Sequence, residues 1–343
     1  MDRSRTAPPR RRRRTRYRLR RLSPLGLAVL AAFLAGAWTG SHRSTASAQA
    51  AGADSPVAVA AGPSGAAMTT TTAATTTGTT TAPIKPLTLV HGPALLAHRL
   101  QSPLTAAAAI LVDADNGQVL WALHPHERRP IASTTKIMTA LLALRALKPH
   151  QVITVDRAVT RVPLVREGLR TGERVQAWKL FYAMLLYSGN DDALQLAIAA
   201  GGSKAAFLKE MNDEAQRLGM RDTHYTSPSG VVDEGNYSSA WDLAAVTRMA
   251  LRDPAFRKIV RRKVIHVKWA APTYSKIYVN NNSLLRVYPG ANGVKTGFTH
   301  KAGWCLVASA TRHGHTLIAV VLDSGNMYTD SEKLLDLGFR SLS

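Results

Sequence analysis

The chain has 343 residues, 45% hydrophobic and 6% aromatic, enough to bury a large core as one big domain or two smaller ones. Its net charge of +22 is uneven: eleven arginines and one aspartate fill the first 22 residues, while residues 51–343 carry 32 Lys and Arg against 21 Asp and Glu with no dense block. That distribution argues against a nucleic-acid-binding face. The single cysteine, Cys305, excludes an intrachain disulfide and cannot build a zinc site alone.

The arginine-rich start is followed by "LGLAVLAAFLAGAW", Leu25 to Trp38, an apolar run of signal-peptide length and short for a membrane span. Small-residue patterns, Ala46-Ser47-Ala48 and Ala48-Gln49-Ala50, come next. Residues 1–50 thus read as a basic n-region with a signal peptide, or as an uncleaved N-terminal anchor with the body outside; either way the chain is expected to be exported. Residues 51–86 are Ala, Thr, Gly and Pro, including "TTTTAATTTGTTTAP". So little apolar bulk cannot offset chain entropy, and a disordered linker is expected before a folded domain at 87–343.

The domain opens with "AAAILVDADNGQVLWAL", two apolar runs joined at Asn116-Gly117, a strong hairpin signal. "IASTTKIMTA" then places Ser133 three residues before Lys136 at the head of a run whose leucines and alanines recur at helical spacing. On that spacing alone Ser133 reads as a helix cap. As i and i+3 residues, however, the hydroxyl and amine can also meet.

The middle is helical: "VQAWKLFYAMLL", then "DDALQLAIAA" after a break, a helix from Ser203 to Gly219 and another from about Ser239. "GVKTGFT", "GWCLVASATR" and "HTLIAVVLD" read as strands, the last two joined around Gly314. A closing helix is expected to open at the capping pattern Thr329-Asp330-Ser331-Glu332. The fold class is α+β: an antiparallel sheet flanked by helices, with an inserted helical subdomain. Cys305, in an apolar strand, is expected to be an inert core thiol.

Three short patterns carry chemistry. Ser188-Gly189-Asn190 alone is a polar helix interruption, and Lys295-Thr296-Gly297 alone is an edge strand protected by a lysine. In the order Ser133-x-x-Lys136, Ser188-x-Asn190, Lys295-Thr296-Gly297, they resemble the motif triple of β-lactamases and penicillin-binding proteins, whose second element is Ser-Asp-Asn. The stretches "VDADNGQVLWALHPHERRPIASTTKIMTA", "YSGNDDALQLA", "NNSLLRVYPGANGVKTGFTHKAGWCLVASA" and "KLLDLGFR" extend the likeness over about residues 87–340. They resemble the low-molecular-mass penicillin-binding proteins that are D-alanyl-D-alanine carboxypeptidases.

The resemblance implies a β-lactamase/transpeptidase-like domain and a serine-type hydrolase that trims the terminal D-alanine from peptidoglycan stem pentapeptides outside the membrane. Ser133 would be the nucleophile and Lys136 the proton acceptor, neutral because burial, its helix's positive end and Lys295 lower its pKa. Ser188 and Asn190 would hold the Lys136 amine and relay the leaving group's proton. The N–H groups of Ser133 and Phe298 would receive the oxyanion, Gly297 would admit the substrate backbone, and Lys295, Thr296 and Thr299 would bind its carboxylate. The partners would be stem peptides ending in D-Ala-D-Ala and, as covalent inhibitors, β-lactams. No cofactor or metal is required, and membrane contact would come only from the N-terminal segment if uncleaved.

Two alternatives stay open at this point. A β-lactamase of class A would need a deacylating glutamate, and Ser188 to Lys295 holds no E-x-x-L-N pattern, only Glu234 as a loose substitute. A non-catalytic penicillin-binding sensor or scaffold would fit the same fold.

Overall fold

The computed structural model describes residues 88–89, 100, 102–163, 165–231, 235–269 and 275–342. The expected leader, the linker and Glu234 lie outside the described residues. No helix among the described residues is long and apolar enough to cross a membrane.

Strand β1, Thr88–Leu89, is a two-residue edge. The hairpin follows: β2, Ala108–Asp113, and β3, Gln118–Leu123, turn at Gly117, whose φ of 84° is one that glycine adopts without a Cβ penalty. Asp113 fixes the turn by accepting from the Asp115 N–H at 2.9 Å and from Asn116 Nδ2 at 3.1 Å. A 3₁₀ turn, Ala132–Thr135, leads into helix α1, Lys136–Ala146. A small hairpin, β4 Val152–Thr154 with β5 Arg174–Gln176, precedes α2, Ala177–Tyr182, which continues as a π-turn over Ala183–Tyr187.

After a break at Ser188 come α3, Asn190–Gly201, and α4, Lys204–Arg217, the latter capped by Ser203 Oγ accepting from the Ala206 N–H. Ser239 caps α5, Ala240–Ala250, and Asp253 with Pro254 starts the short α6, Pro254–Val260. A second small hairpin, β6 Val264–Val267 and β7 Lys276–Val279, and a single turn α7, Leu284–Val287, complete the helical insertion. The chain then runs through β8, Ala291–Thr299, β9, Gly303–Arg312, and β10, His315–Ser324, and ends in α8, Met327–Leu342.

The main sheet has the order β1-β3-β2-β10-β9-β8. Every pairing is antiparallel as expected, except that β1 joins β3 in parallel. Side-chain alternation explains the layers. Ile110, Val112, Cys305, Val307, Ile318 and Val320 face the helical block, while Ala109, Leu111, Leu306, Ala308, Leu317 and Ala319 face α8 through Leu334, Leu335 and Phe339. Cys305 is buried with its thiol pushed up to about 11 by that burial, so it is the inert core group expected.

The start of α8 corrects the sequence expectation. The helix begins at Met327, and the Thr329 N–H is received by Asn326 Oδ1 at 3.2 Å. Asp330, counted as part of a cap, lies inside the helix, where its carboxylate accepts from Thr105 Oγ1 and Ser324 Oγ, each at 2.7 Å. A long-range tie to the entry of β2 won over the local capping pattern.

Candidate active site

Ser133 lies in the 3₁₀ turn ahead of α1, buried, and makes no capping bond; the helix proper starts at Lys136. The cap reading of this serine is therefore overturned. Ala132, just before it, has φ +46°, a conformation an L-residue adopts at a cost of about 1–3 kcal/mol. The surrounding structure holds it there: Gly230, itself at φ +73°, packs so close that a Cβ would lie 2.0 Å from the Ala132 carbonyl oxygen.

The Lys136 side chain is fully buried, and its Nζ lies 2.9 Å from Ser133 Oγ, 2.8 Å from Asn190 Oδ1 and 3.1 Å from the Ser229 carbonyl oxygen. Burial first, and then the charge of Lys295, lowers the Lys136 pKa well below that of an ordinary lysine. A neutral amine has two hydrogens and one lone pair. The Asn190 and Ser229 oxygens are carbonyls and can only accept, so they take the two hydrogens. The lone pair is left facing the Ser133 hydroxyl, which is the arrangement a general base needs.

Ser188 departs from expectation. It adopts φ 75° at the end of the π-turn and is buried, but it is not among the three oxygens bonded to Lys136 Nζ. The Ser229 carbonyl takes that place. The sequence does flag a turn at "SPSG", and Ser227 Oγ does organise it by accepting from the Ser229 and Gly230 N–H groups at 3.1 and 3.0 Å. Nothing local shows that the loop returns to α1, where Thr139 Oγ1 donates to the Pro228 carbonyl at 2.6 Å.

Strand β8 forms the opposite wall as the sheet's edge. Lys295 pairs with Val307 and Gly297 with Cys305, both on the face toward the helical block, and Thr299 continues that face. Thr296 pairs with Leu306, whose side chain belongs to the α8 side. The pleat thus turns the Thr296 side chain to the face opposite Lys295, while the Thr296 carbonyl accepts from Lys295 Nζ at 2.9 Å. Thr299 Oγ1 accepts from the Ala302 N–H at 3.0 Å, which leaves its own hydrogen to donate. Lys295 is buried, and burial lowers its pKa to about 7.

Gly297 does more than admit a ligand. A Cβ there would lie 3.1 Å from the Ile131 carbonyl oxygen and 3.2 Å from the Ser133 nitrogen, so the absent side chain lets the edge strand close onto the 3₁₀ turn. The Phe298 ring is 42% exposed and stacks on Trp304 at 4.2 Å between centroids, so what Phe298 can offer the site is its backbone.

Asp191 is a supporting residue that motif reading missed. Its carboxylate receives the N–H groups of Glu167 and Gly168, each at 2.8 Å, and of Leu169 at 3.2 Å, which ties the loop at 165–169 to the start of α3 beside Asn190. Asp192 is buried with neither carboxylate oxygen hydrogen-bonded, and burial, followed by the charge of Asp191, raises its pKa well above the usual carboxylate range. Burial thus favours its protonated form.

A buried serine under a desolvated lysine, an amide-bearing turn and a lysine-bearing edge strand define the class: a serine–lysine centre in a β-lactamase/transpeptidase-like fold. The family model for D-alanyl-D-alanine carboxypeptidases, peptidase S11, matches residues 97–326. The chain is 34% identical to D-alanyl-D-alanine carboxypeptidase DacF of Bacillus subtilis over 243 residues, 68% of this chain and 62% of that protein. It is also 34% identical to the D-alanyl-D-alanine carboxypeptidase of Streptomyces sp. strain K15, over 69% of this chain and 88% of that one. The crystal structure of the Streptomyces K15 DD-transpeptidase superposes with a TM-score of 0.66 at 32% identity, covering 70% of this chain and 98% of the other. Penicillin-binding protein D2 of Listeria monocytogenes in its ampicillin-bound form gives 0.62 at 31% identity, over 70% and 100%. The chain belongs to the D-alanyl-D-alanine carboxypeptidase family of serine peptidases.

Proposed function

We propose that this protein is a serine-type D-Ala-D-Ala carboxypeptidase that removes the terminal D-alanine from peptidoglycan stem pentapeptides through an acyl-enzyme on Ser133. The observation that carries the reading is the buried Lys136 Nζ held 2.9 Å from Ser133 Oγ between two fixed carbonyl acceptors. Lys136 accepts the serine proton as Oγ attacks the penultimate carbonyl. The oxyanion forms between the N–H groups of Ser133 and Phe298, and the lysine returns its proton to the leaving D-alanine amine. Water then attacks the ester with Lys136 again as base. Lys295 and Thr299 bind the C-terminal carboxylate, which favours an exopeptidase.

β-Lactams, with a strained amide and a carboxylate, fit the same groups and acylate Ser133. Export, with residues 1–50 as leader or anchor and 51–86 as linker, belongs to the same proposal, because the substrate lies outside the cytoplasm. Since one structural neighbour bears the name transpeptidase, the test must read the acceptor as well as the donor. Purified protein is incubated with a pentapeptide muropeptide, with and without an amine acceptor, and the products are weighed. Loss of one alanine, abolished in Ser133→Ala, is the expected result; mass gained as a dimer or amide would assign transfer, and an unchanged substrate would exclude both.

A further inference from the structure

Away from the catalytic seam, a cleft of about 470 Å³ opens at the other end of the sheet. Its walls come from the β2–β3 turn, the ends of α5 and α6, the start of β8 and the β9–β10 hairpin. Four arginines line it, Arg248, Arg252, Arg257 and Arg261, against one carboxylate, Asp115. Asn292, at its edge, lies five residues before Gly297, about 17 Å along the strand. The cleft is thus separate from the serine centre.

Two of the arginines are fixed in place. Arg248, buried, donates through Nε to the Ala114 carbonyl at 2.6 Å and through a terminal nitrogen to the Asp115 carbonyl at 3.1 Å. Arg257 donates to the carbonyls of Leu251 and Arg252 at 2.6 and 3.0 Å. Arg252 and Arg261 are exposed at the mouth. Helix-end carbonyls account for Arg257, but a helix dipole does not require four guanidinium groups around one concavity. Crowded like charges oppose one another, and burial together with Arg252 lowers the pKa of Arg248. The Asp115 carboxylate offsets one charge and is itself engaged by the Thr316 N–H at 2.9 Å.

We infer that this cleft is a binding site for a phosphate monoester of a sugar or polyol. Planar guanidinium forks match phosphate oxygens, and a concave cationic wall concentrates anions. The volume is that of a small-molecule site and exceeds what a bare phosphate fills. Asn292, Thr311 and Thr316, joined to one another through Asn292 Nδ2 to Thr311 Oγ1 at 2.7 Å and Thr311 to Thr316 at 3.0 Å, form the polar edge that the hydroxylated part would meet.

The test is calorimetric titration of the full chain at fixed ionic strength with glucose 1-phosphate, inorganic phosphate and glucose. Glucose 1-phosphate should bind at least tenfold tighter than either of the others. Arg252→Ala with Arg261→Ala should weaken it at least tenfold, whereas Lys148→Ala with Lys209→Ala, which removes equal charge from residues that do not line the cleft, should change it less than twofold. Because the arginine-rich N-terminus is common to all three proteins, it cannot account for a difference between them. Absent heat, equal affinity for phosphate and its ester, or equal losses in the two double variants would each overturn the assignment. Preserved penicillin acylation in the arginine variant would show that it is folded.

Discussion

Lys136 has three oxygens within reach and, as a neutral amine, only two hydrogens to offer them. Lys136→Arg keeps the charge and abolishes the lone pair, because arginine does not deprotonate in proteins; acylation by penicillin should fall by at least about a hundredfold. Lys295→Met separates a second effect. The Lys295 charge is one of the two causes that lower the Lys136 pKa, so its removal should raise that pKa and move the acid limb of the acylation profile to higher pH. Lys295→Arg should leave the limb where it is. Lys295 itself, with a pKa of about 7 in the ligand-free protein, loses its charge as pH rises through that value, so affinity for carboxylate ligands should decline on the alkaline side. Stopped-flow acylation rates across pH read all three outcomes, and an acid limb indifferent to Lys295→Met would remove Lys295 as a tuner of the base.

At the scale of the element, the start of α3 is held by two adjacent carboxyls of opposite character. Asp191 is satisfied by four backbone amides, three of them from the loop at 165–169, and Asp191→Ala would strand those three donors at a cost of about 3 kcal/mol, loosening the loop and with it Asn190. Urea unfolding and penicillin acylation should both register the loss. Asp192 works in the other direction. Its folded pKa is raised, so the folded state holds a proton that the unfolded state releases near the ordinary value of 3.8; stability is full below that value and declines as pH rises toward the folded pKa. Asp192→Asn should therefore flatten the fall in melting temperature above pH 4, and an unchanged slope would show that Asp192 is ionised in the fold. These roles were hidden in the sequence because "GNDDA" shows two equivalent aspartates, and only tertiary burial tells them apart.

Across the whole molecule, the sequence made legible what is local or strongly patterned: the Asn116-Gly117 hairpin, the late strands, the Ser203 and Ser239 caps and the three motifs. It missed what depends on distant chain meeting distant chain. The β4–β5 and β6–β7 hairpins are too short to show periodicity. The Ser229 carbonyl has no side-chain signature, and the face of Thr296 is settled by its pairing with Leu306. The groups proposed for catalysis belong to different layers, Ser133 and Lys136 to the helical side and Phe298 to the sheet edge, and Gly297 is where those layers touch. One missing methyl group thus works as the gauge of the site, fixing how far apart its two halves stand. Gly297→Ala should spread them by a few tenths of an ångström while leaving the sheet paired. Its signature would be a slower acylation at nearly unchanged melting temperature, and in the parent protein the same seam should part first on heating, so that activity fades some degrees before the fold does.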